Sequence, residues 1–219
     1  MKESQKKPSA KTYEEQAKAN TQTMFRVDDP YALFGAWMDE AKLGEPNDPN
    51  AMALATVDAD GLPDIRMVLL KGVDERGFVF YSHAGSAKGG QLKQNPKAAL
   101  NFHWKSLRRQ VRVRGTVEPL SKIEVGKYFA SRPRDSQLGA WASKQSKTME
   151  TRGVFEKAIN VAKDKFSGVS VPLPPGWLGW RVMPTQIEFW RDRPFRLHDR
   201  LLFSWDASSK TWTKRRLYP

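Results

Sequence analysis

The sequence predicts a mainly β protein with a few flanking helices, arranged as a closed or partly closed barrel. Five segments between residues 51 and 120 are apolar or alternate between apolar and polar residues, and turn residues separate them. Four more strand-like segments follow residue 175. Because strands and helices do not alternate regularly, antiparallel strands that close on themselves describe the pattern better than a parallel α/β sheet.

The first regular element in the pattern is an amphipathic helix. Residues 1–24 are polar and lysine-rich, and we expect them to form a flexible basic arm before a single domain over residues 25–219. In the helix, Asp29 can cap, Pro30 suits the first helical position and Gly44 can end it. The apolar face repeats at helical spacing, with Leu33, Phe34, Trp37, Met38 and Ala41.

The predicted strands follow in order. The first five are AMALATVD (51–58), PDIRMVLLKGV (63–73), GFVFYS (77–82), KAALNFHW (97–104) and RRQVRVRGTVEPL (108–120). A short helix capped by Ser86 is expected between the third and fourth strands. After the fifth, Ser121 and Glu124 form a capping box for a helix that should stop before Pro133. A further helix, from about Thr148 to Phe166, precedes the closing segments GWLGWRVMP, TQIEFWRD, RLHDRLLFSW and TWTKRRLY.

Composition limits the kinds of site that the chain can carry. The absence of cysteine excludes disulfides, thiolate metal ligands and a cysteine nucleophile, and the three histidines lack metal-ligand spacing, so we expect no metal. No long apolar run or signal-peptide pattern is present, which predicts a cytoplasmic protein without a membrane partner. The net charge of +13 suits nucleic acid, an anionic surface or phosphorylated small molecules. Because basic residues are interspersed with acidic ones, phosphorylated ligands are favoured.

Three basic side chains are expected on one strand face in the segment RLHDRL. Arg196, His198 and Arg200 are two residues apart, and alternate residues of a strand share a face. Such a face could bind an anion, although a solvated edge strand explains the charges equally well. His198 could either donate to an anionic ligand or move a proton.

Two further groups of residues are candidates for phosphate binding. Arg66 and Lys71 flank an apolar run, but their odd spacing points them to opposite faces of a regular strand, so they share a site only if a bulge interrupts it. Tyr128 and Arg132 share a helix face, and Ser136 follows the proline. Guanidinium and hydroxyl groups suit phosphate, yet a helix end with incidental polar groups is the simpler interpretation.

Backbone amides at a helix beginning near Ser86 could also hold a phosphate, together with Lys88. The segment SAKGGQ matches neither a P-loop nor a dinucleotide-binding motif. No serine triad, pair of catalytic carboxylates or metal cluster emerges. If the protein is an enzyme, its chemistry is therefore expected to come from a cofactor.

Several segments, in this order, closely resemble the pyridoxamine/pyridoxine 5'-phosphate oxidase family. They are RMVLLK, VFYS with GSAK, RRQVRVRG, YFASRPRDSQLGAWASKQS, PPGWLGWRV, IEFWRDRP and RLHDRL, and the resemblance runs from about Asp29 to Pro219. It implies an FMN-binding split β-barrel and a homodimer with FMN at the subunit interface. The implied reaction converts pyridoxamine and pyridoxine 5'-phosphate to pyridoxal 5'-phosphate, by hydride transfer from C4' to flavin N5 and reduction of O2 to hydrogen peroxide.

The resemblance also implies which residues form the site. The implied flavin contacts are Arg66, Met67, Val68, Leu69, Leu70, Lys71, Tyr81, Ser82, Lys88, Gln110, Gln145, Ser146, Trp190 and Arg200. The implied substrate contacts are Lys71, Tyr128, Arg132, Ser136, Arg196 and His198. Arg196 and His198 would face the pyridine ring, and they are also the implied catalytic residues.

The chain departs from the family pattern at two of these segments. Ala87 stands where the family usually has an arginine beside Lys88, which predicts looser FMN binding. Phe195 stands where a small polar residue is common, at the rim of the implied pocket.

Two other functions compete with this interpretation. A related split-barrel flavin oxidase could act on another substrate, such as a phenazine precursor, and would then lose part of the phosphate-binding set. A nucleic-acid-binding module would use the net charge and the eight tryptophans. The tryptophans lie mostly within strand patterns and fit core packing better, so no nucleic-acid partner is expected.

Overall fold

A computed structural model of the protein describes residues 24–219, which contain nine β-strands and five α-helices. Met24, the last residue of the predicted arm, is only 1% exposed and begins a turn of 3-10 helix, Met24–Arg26. The rest of the predicted arm lies outside the described residues. The helices are α1 (Pro30–Gly44), α2 (Ala87–Gln94), α3 (Lys122–Ser131), α4 (Arg134–Ala142) and α5 (Arg152–Lys165). The strands are β1 (Ala51–Val57), β2 (Pro63–Leu69), β3 (Gly72–Asp74), β4 (Gly77–His83), β5 (Lys97–Trp104), β6 (Arg109–Pro119), β7 (Trp177–Arg191), β8 (Asp199–Asp206) and β9 (Thr211–Leu217).

The strands form one sheet. Its neighbours run in the order β2, β1, β5, β6, β7, β4 and β3, while β8 pairs with both β7 and β9. The pairs β3 with β4, β4 with β7, β7 with β8 and β8 with β9 are antiparallel. The predicted mainly β class is therefore confirmed.

The described residues divide into two units that each combine distant parts of the chain. The first unit contains residues 24–53, 100–114 and 184–219, and the second contains residues 54–99 and 115–183. Strands β1, β5, β6 and β7 each have residues in both units. The single domain predicted over residues 25–219 stays a prediction.

Helix α1, in the first unit, forms where the sequence predicted it. The Asp29 carboxylate accepts a hydrogen bond from the Tyr31 amide at 2.8 Å, which satisfies one of the free amides at the helix start. All five predicted apolar residues of the helix are buried. Phe34 packs edge-on against Phe102, with ring centroids 5.0 Å apart, and burial of a side chain of this size stabilises the fold by about 1.5–3 kcal/mol.

Helices α3 and α4, in the second unit, follow each other across one proline. The predicted capping box is present, since Ser121 and Glu124 each accept a hydrogen bond from the other's amide. Helix α3 ends before Pro133 as expected, but the sequence did not predict that α4 begins directly after it. Proline has no backbone N–H, and the first residues of a helix do not need one. Pro133 can therefore stop α3 and also begin α4. The two helices pack with α5 and β7 around a buried cluster of Val125, Phe129, Leu138, Ala162, Phe166, Val171 and Trp177.

Three of the predicted strands have different bounds in the structure. The segment 63–73 divides into β2 and β3, and between them the Lys71 amide donates to the Val79 carbonyl at 2.8 Å. The segments 176–184 and 185–192, predicted as two strands, form the single long strand β7.

The prediction that Arg196, His198 and Arg200 share one strand face is wrong. Strand β8 begins only at Asp199, and Arg196 ends a short 3-10 turn, Pro194–Arg196. Phe195 and Arg196 have φ angles of 59° and 61°, in the left-handed region that strand residues do not adopt. The alternation of side chains therefore holds only from Asp199 onward.

Gly89, in α2, has no room for a side chain. A Cβ atom there would lie 2.3 Å from the Ala84 carbonyl oxygen, whereas a Cβ at the adjacent Gly90 would meet no atom within 4 Å. We expect Gly89→Ala to lower the free energy of unfolding by about 1–3 kcal/mol, because the helix start must shift. Gly90→Ala should be neutral or stabilising by up to about 1 kcal/mol, because alanine favours helix. Urea unfolding of both variants checks this, and equal effects would contradict it.

Candidate active site

A cavity of about 1020 Å³ in the second unit brings together most of the predicted site residues. It lies beside β2, β4, α2, α3 and α4. The predicted residues that line it are Arg66, Met67, Val68, Leu69, Lys71, Tyr81, Ser82, Lys88, Tyr128, Arg132, Ser136, Gln145 and Ser146. The sequence placed these residues in five separate segments, and the fold of this unit gathers them.

Lys88 is a buried cation without an acidic partner. It lies in the first turn of α2, two residues after the N-cap Ser86, and only 6% of the residue is exposed. The ammonium donates to the Ser82 hydroxyl at 2.9 Å, the Ser86 hydroxyl at 3.2 Å and the Gln145 side-chain oxygen at 3.3 Å. Among residues 24–219, no carboxylate forms an ion pair with it. Burial lowers the pKa of Lys88, and the positive charge of Arg66 lowers it further.

Arg66 is held in place by neighbours that the sequence did not identify. Its Nη1 donates to the Thr56 hydroxyl at 2.5 Å and to the Leu54 carbonyl at 3.3 Å. Its Nη2 donates to the Gln91 side-chain oxygen at 3.1 Å and also pairs with Asp64. The hydrogen bond from Gln91 is the main cause that lowers the pKa of Asp64. The guanidinium therefore has a defined orientation at the cavity wall.

A second group of polar side chains lies at the junction of α3 and α4. Tyr128 belongs to the last turns of α3, Arg132 is its C-cap residue and Ser136 belongs to α4. The Nη1 atom of Arg132 is buried and has no hydrogen-bond partner within residues 24–219. Burial lowers the pKa of Arg132. Since an unpartnered buried donor is costly, this atom is a candidate for binding an anionic ligand.

The break between β2 and β3 resolves the odd spacing of Arg66 and Lys71. Arg66 lies in β2, whereas Lys71 lies after the strand has ended at Leu69. Both residues line the cavity, although they would face opposite sides of an uninterrupted strand. Leu70, between them, is 7% exposed and is not part of the cavity wall.

Three aromatic rings lie nearly parallel at the cavity. The Tyr81 and Tyr128 rings are 3.9 Å apart, and the Tyr81 and Trp177 rings are 5.4 Å apart with an angle of 7° between their planes. Gly179 makes room for them, because a Cβ there would lie 2.7 Å from the Tyr81 ring. Sequence reasoning did not identify Trp177, and its place directly after a Pro-Pro-Gly turn gave no signal that it reaches a site.

The remaining predicted residues, Gln110, Trp190, Arg196, His198 and Arg200, belong to the first unit. There the His198 ring lies 4.6 Å from the Trp190 ring, and its Nδ1 is 2.9 Å from an Asp192 carboxylate oxygen. Arg200 donates from Nε to Glu188 at 2.8 Å. Arg196 is exposed and Gln110 is half-buried in β6. Sequence reasoning missed the Asp192 and Glu188 carboxylates, because both residues lie outside the segment RLHDRL.

Residues 24–219 contain neither a metal-ligand cluster nor a helix suited to crossing a membrane. No group of three histidine, aspartate or glutamate side chains there could hold a metal ion. None of the helices in this range is both long and apolar enough to cross a membrane.

The mainly β sheet and its cation-lined cavity describe a barrel-type protein whose cavity suits anions, and comparison with known proteins identifies its family. Residues 38–166 match the model of pyridoxamine 5'-phosphate oxidase, and residues 177–219 match the pyridoxine 5'-phosphate oxidase C-terminal dimerisation region. The chain belongs to the pyridoxamine 5'-phosphate oxidase family.

Relatives and solved structures agree with this assignment. The chain is 62% identical over 193 residues to the pyridoxine/pyridoxamine 5'-phosphate oxidase of Bradyrhizobium diazoefficiens. The matched region covers 88% of this chain and 91% of that protein. It is 59% identical to the protein of the same name from Maricaulis maris, over 97% of this chain and 96% of that protein. Among solved structures, PhzG of Burkholderia lata, in complex with tetrahydrophenazine-1-carboxylic acid, has a TM-score of 0.83 at 29% identity and covers 89% of this chain and 94% of its own.

A second solved structure shows the same fold at lower identity. It is a pyridoxamine 5'-phosphate oxidase-related, FMN binding protein from Nostoc punctiforme, with a TM-score of 0.72 at 18% identity over 88% of this chain and all of its own. The predicted split β-barrel, homodimer, oxidoreductase class and FMN cofactor are confirmed by these comparisons. The roles of the individual site residues stay predictions.

The lowered pKa of Lys88 predicts how stability changes with pH in the ligand-free protein. The unfolded chain keeps this proton up to the ordinary value of 10.5, so it binds more protons than the folded protein as the pH approaches that value. Lys88 therefore makes the free energy of unfolding rise with pH between its lowered pKa and 10.5. We expect Lys88→Met to reduce this rise, measured by urea unfolding between about pH 8 and pH 10.

The matched control is Lys93→Met, which removes an exposed lysine from the same helix. Its unfolding free energy should change with pH as in the unmodified protein. If Lys88→Met has the same pH dependence as the control, burial of Lys88 does not have the assigned effect.

Proposed function

We propose that this chain oxidises pyridoxamine 5'-phosphate and pyridoxine 5'-phosphate to pyridoxal 5'-phosphate with FMN as cofactor. One observation carries the proposal: four cations, Arg66, Lys71, Lys88 and Arg132, line a single cavity. FMN and the substrate each bear one phosphate, so these cations suit the two ligands. Family membership and the names of the relatives support the same reaction.

The proposed reaction balances with O2 as the electron acceptor. The alcohol substrate loses a hydride from C4' and a proton from its hydroxyl, and O2 is reduced to hydrogen peroxide. The amine substrate also consumes one water and releases ammonia, so both substrates give the same aldehyde. When bound, FMN supplies the hydride acceptor and returns the electrons to O2.

The flavin phosphate is proposed to bind at Lys88 and the start of α2. The residues fit an oxyanion, because the Lys88 ammonium forms no ion pair with a carboxylate among the described residues and the free amides of α2 begin beside it. Arg66, oriented by Thr56 and Gln91, adds a second cation. A buried site strengthens these interactions because water competes less for the phosphate.

The substrate phosphate is proposed to bind at Lys71, Tyr128, Arg132 and Ser136. The buried, unpartnered Nη1 of Arg132 supports this assignment, because a phosphate oxygen would supply the missing acceptor. The Tyr128 and Ser136 hydroxyls can each donate to a remaining oxygen. Fixing the phosphate places the rest of the substrate at a set distance within the cavity, and such positioning is a large part of catalysis.

Arg196 and His198 are proposed to face the pyridine ring at an interface between two copies, where FMN also binds in this proposal. Both residues lie in the segment that matches the dimerisation region. Arg196 is exposed in its unit. At His198, Nδ1 lies 2.9 Å from an Asp192 carboxylate oxygen, to which it can donate, so Nε2 is the atom that can bind substrate.

A related oxidase acting on a phenazine precursor is the competing interpretation. The likeness to PhzG favours it, but at 29% identity that protein is more distant than the relatives at about 60%. The complete set of Lys71, Tyr128, Arg132 and Ser136 along one cavity favours a phosphorylated substrate. Cytoplasmic location and the absence of nucleic-acid partners stay predictions.

An anaerobic titration of the FMN-loaded protein with pyridoxine 5'-phosphate tests the proposed function. We expect the flavin absorbance to bleach, to recover when air is admitted, and one equivalent of aldehyde and of peroxide to form per turnover. Unphosphorylated pyridoxine is the control, and it should reduce the flavin far more weakly. Bound flavin that neither the alcohol nor the amine phosphate reduces would contradict the substrate assignment.

Ala87 leaves room for one more cation at the proposed flavin phosphate site. It is exposed at the start of α2 and lines the cavity, and the family pattern usually has arginine there. His83, on the same wall, does not replace that charge, because burial and then the charge of Lys88 lower its pKa. We expect Ala87→Arg to tighten FMN binding by about 5- to 10-fold, since a charge-assisted hydrogen bond contributes about 1.5–3 kcal/mol before the cost of nearby like charges.

Flavin fluorescence quenching measures this affinity. Gln94→Arg adds the same charge to an exposed position at the other end of the helix and serves as the matched control. An equal change in both variants would mean that only the net charge of the protein matters.

A further inference from the structure

We propose that Trp177 is a positioning residue, which holds the Arg132 guanidinium in place for the substrate's phosphate through the face of its indole ring. This inference rests on the proposed function, in which Arg132 binds that phosphate. Nothing in the sequence or in the family comparison assigned a role to Trp177. Two features of the molecule support it: the surroundings of Arg132 and the packing that fixes the indole.

Arg132 is half-buried, and among the described residues it has no acidic partner of the kind that normally offsets the burial of a cation. Among the described residues, no carboxylate forms an ion pair with it, and its Nη1 atom is buried without a hydrogen-bond partner. Charged groups are rarely buried unless something compensates for the lost hydration. A carboxylate in that place would occupy the donors and repel a phosphate, so a functional site needs a different compensation.

Aromatic faces supply that compensation. The guanidinium carbon of Arg132 lies 4.9 Å from the centre of the Trp177 ring and 5.8 Å from that of Phe129. The face of an aromatic ring attracts a cation, and tryptophan does so most strongly. This attraction is not a hydrogen bond to an acceptor atom, so it leaves the N–H donors available to a ligand.

Trp177 is itself held rigidly. It is 7% exposed and belongs to the buried cluster of α3, α4 and α5. Its ring packs edge-on against Phe129 at 5.1 Å and lies parallel to Tyr128 at 5.9 Å, with 7° between the planes. One indole therefore contacts both Arg132 and Tyr128, and these are two of the four residues proposed to bind the substrate phosphate.

Trp141 provides a matched comparison within the same unit. It packs against the same cluster and also lies beside a cation, since the Lys165 ammonium is 4.9 Å from its ring centre. Its indole nitrogen donates to the Pro172 carbonyl at 2.6 Å, and the residue does not line the cavity. Trp141→Leu thus removes the same chemical group from the same core without affecting Arg132.

The test measures binding of 4-deoxypyridoxine 5'-phosphate and of 4-deoxypyridoxine to the FMN-loaded protein by calorimetry. The methyl group at C4' of these probes can neither be oxidised as the substrate is nor form an imine. We expect Trp177→Leu to weaken binding of the phosphorylated probe about 10-fold, as loss of a desolvated cation–π contact implies. Binding of the unphosphorylated probe should change less than about 2-fold, and Trp141→Leu should change neither affinity.

A double-mutant cycle with Arg132→Met separates action through Arg132 from a general loss of structure. In the Arg132→Met background, Trp177→Leu should have no further effect on the phosphorylated probe. If Trp177→Leu does not fold, Trp177→Phe decides the question, with an expected weakening of about 3-fold that also disappears in that background. Equal effects in both backgrounds, or equal effects on both probes, would overturn the role of Trp177.

Failure of the proposed function would give a different result. If Arg132→Met itself leaves the affinity for the phosphorylated probe unchanged, Arg132 does not bind the phosphate, and both the proposed site and the role of Trp177 fall. If Arg132→Met weakens binding and Trp177→Leu does not, the proposed site stands and only the role of Trp177 falls.

Discussion

The proposed site in the second unit depends on two cations, the buried Lys88 and the half-buried Arg132, that form no ion pair with a carboxylate among the described residues. Lys88 is surrounded by neutral oxygens, and Arg132 by aromatic faces. Arg181, in the same unit, shows the ordinary alternative: its buried guanidinium is paired with Asp74 at 2.7 Å, and Glu118 and Glu124 lie within 4 Å of it. An arginine paired in this way joins structural elements, but it has little remaining capacity for a ligand. Lys88 and Arg132 differ from Arg181 in this respect, whereas Arg66, also assigned to the proposed site, is paired with Asp64.

This arrangement lowers stability before ligands bind. Burial shifts the pKa values of Lys88 and Arg132 in the direction that favours the neutral form, which is the electrostatic sign of an unfavourable environment for charge. Anionic ligands would relieve that cost, so ligand binding and folding are linked in this unit. The hydrogen bonds of Lys88 to Ser82, Ser86 and Gln145 also draw β4, α2 and the loop after α4 together, which gives the cation a structural role as well.

The sequence predicted the elements whose signals are local and strong. Helix α1 has a cap, a proline at its start and a regular apolar face, and it forms as expected. The capping box of Ser121 likewise marked the start of α3. Helix α4 was missed because a proline reads as a helix stop, and nothing local indicated that a new helix begins there. The error at Arg196 has a similar cause, since alternation of residues in RLHDRL cannot reveal the left-handed backbone at Phe195 and Arg196.

The site was harder to predict than the fold, because its members meet only after folding. Resemblance to a family supplied most of the cavity residues, whereas spacing alone left Arg66 and Lys71 on opposite faces. Residues that carry no charge and belong to no recognised motif were not identified from the sequence. Trp177 looks like one more core tryptophan until its distance from Arg132 is known, and Thr56 and Gln91 become relevant only through their contacts with Arg66.

The proline between α3 and α4 has a consequence for the entropy of ligand binding. A residue that precedes proline is largely confined to extended backbone conformations, and Arg132 adopts one of them, with φ of −75° and ψ of 148°. The backbone of this cation is therefore restricted by its neighbour in the unfolded chain as well as in the folded one. Pro133 therefore presets the backbone that carries this cation through covalent geometry, while the side chain is left to be positioned by its ring contacts.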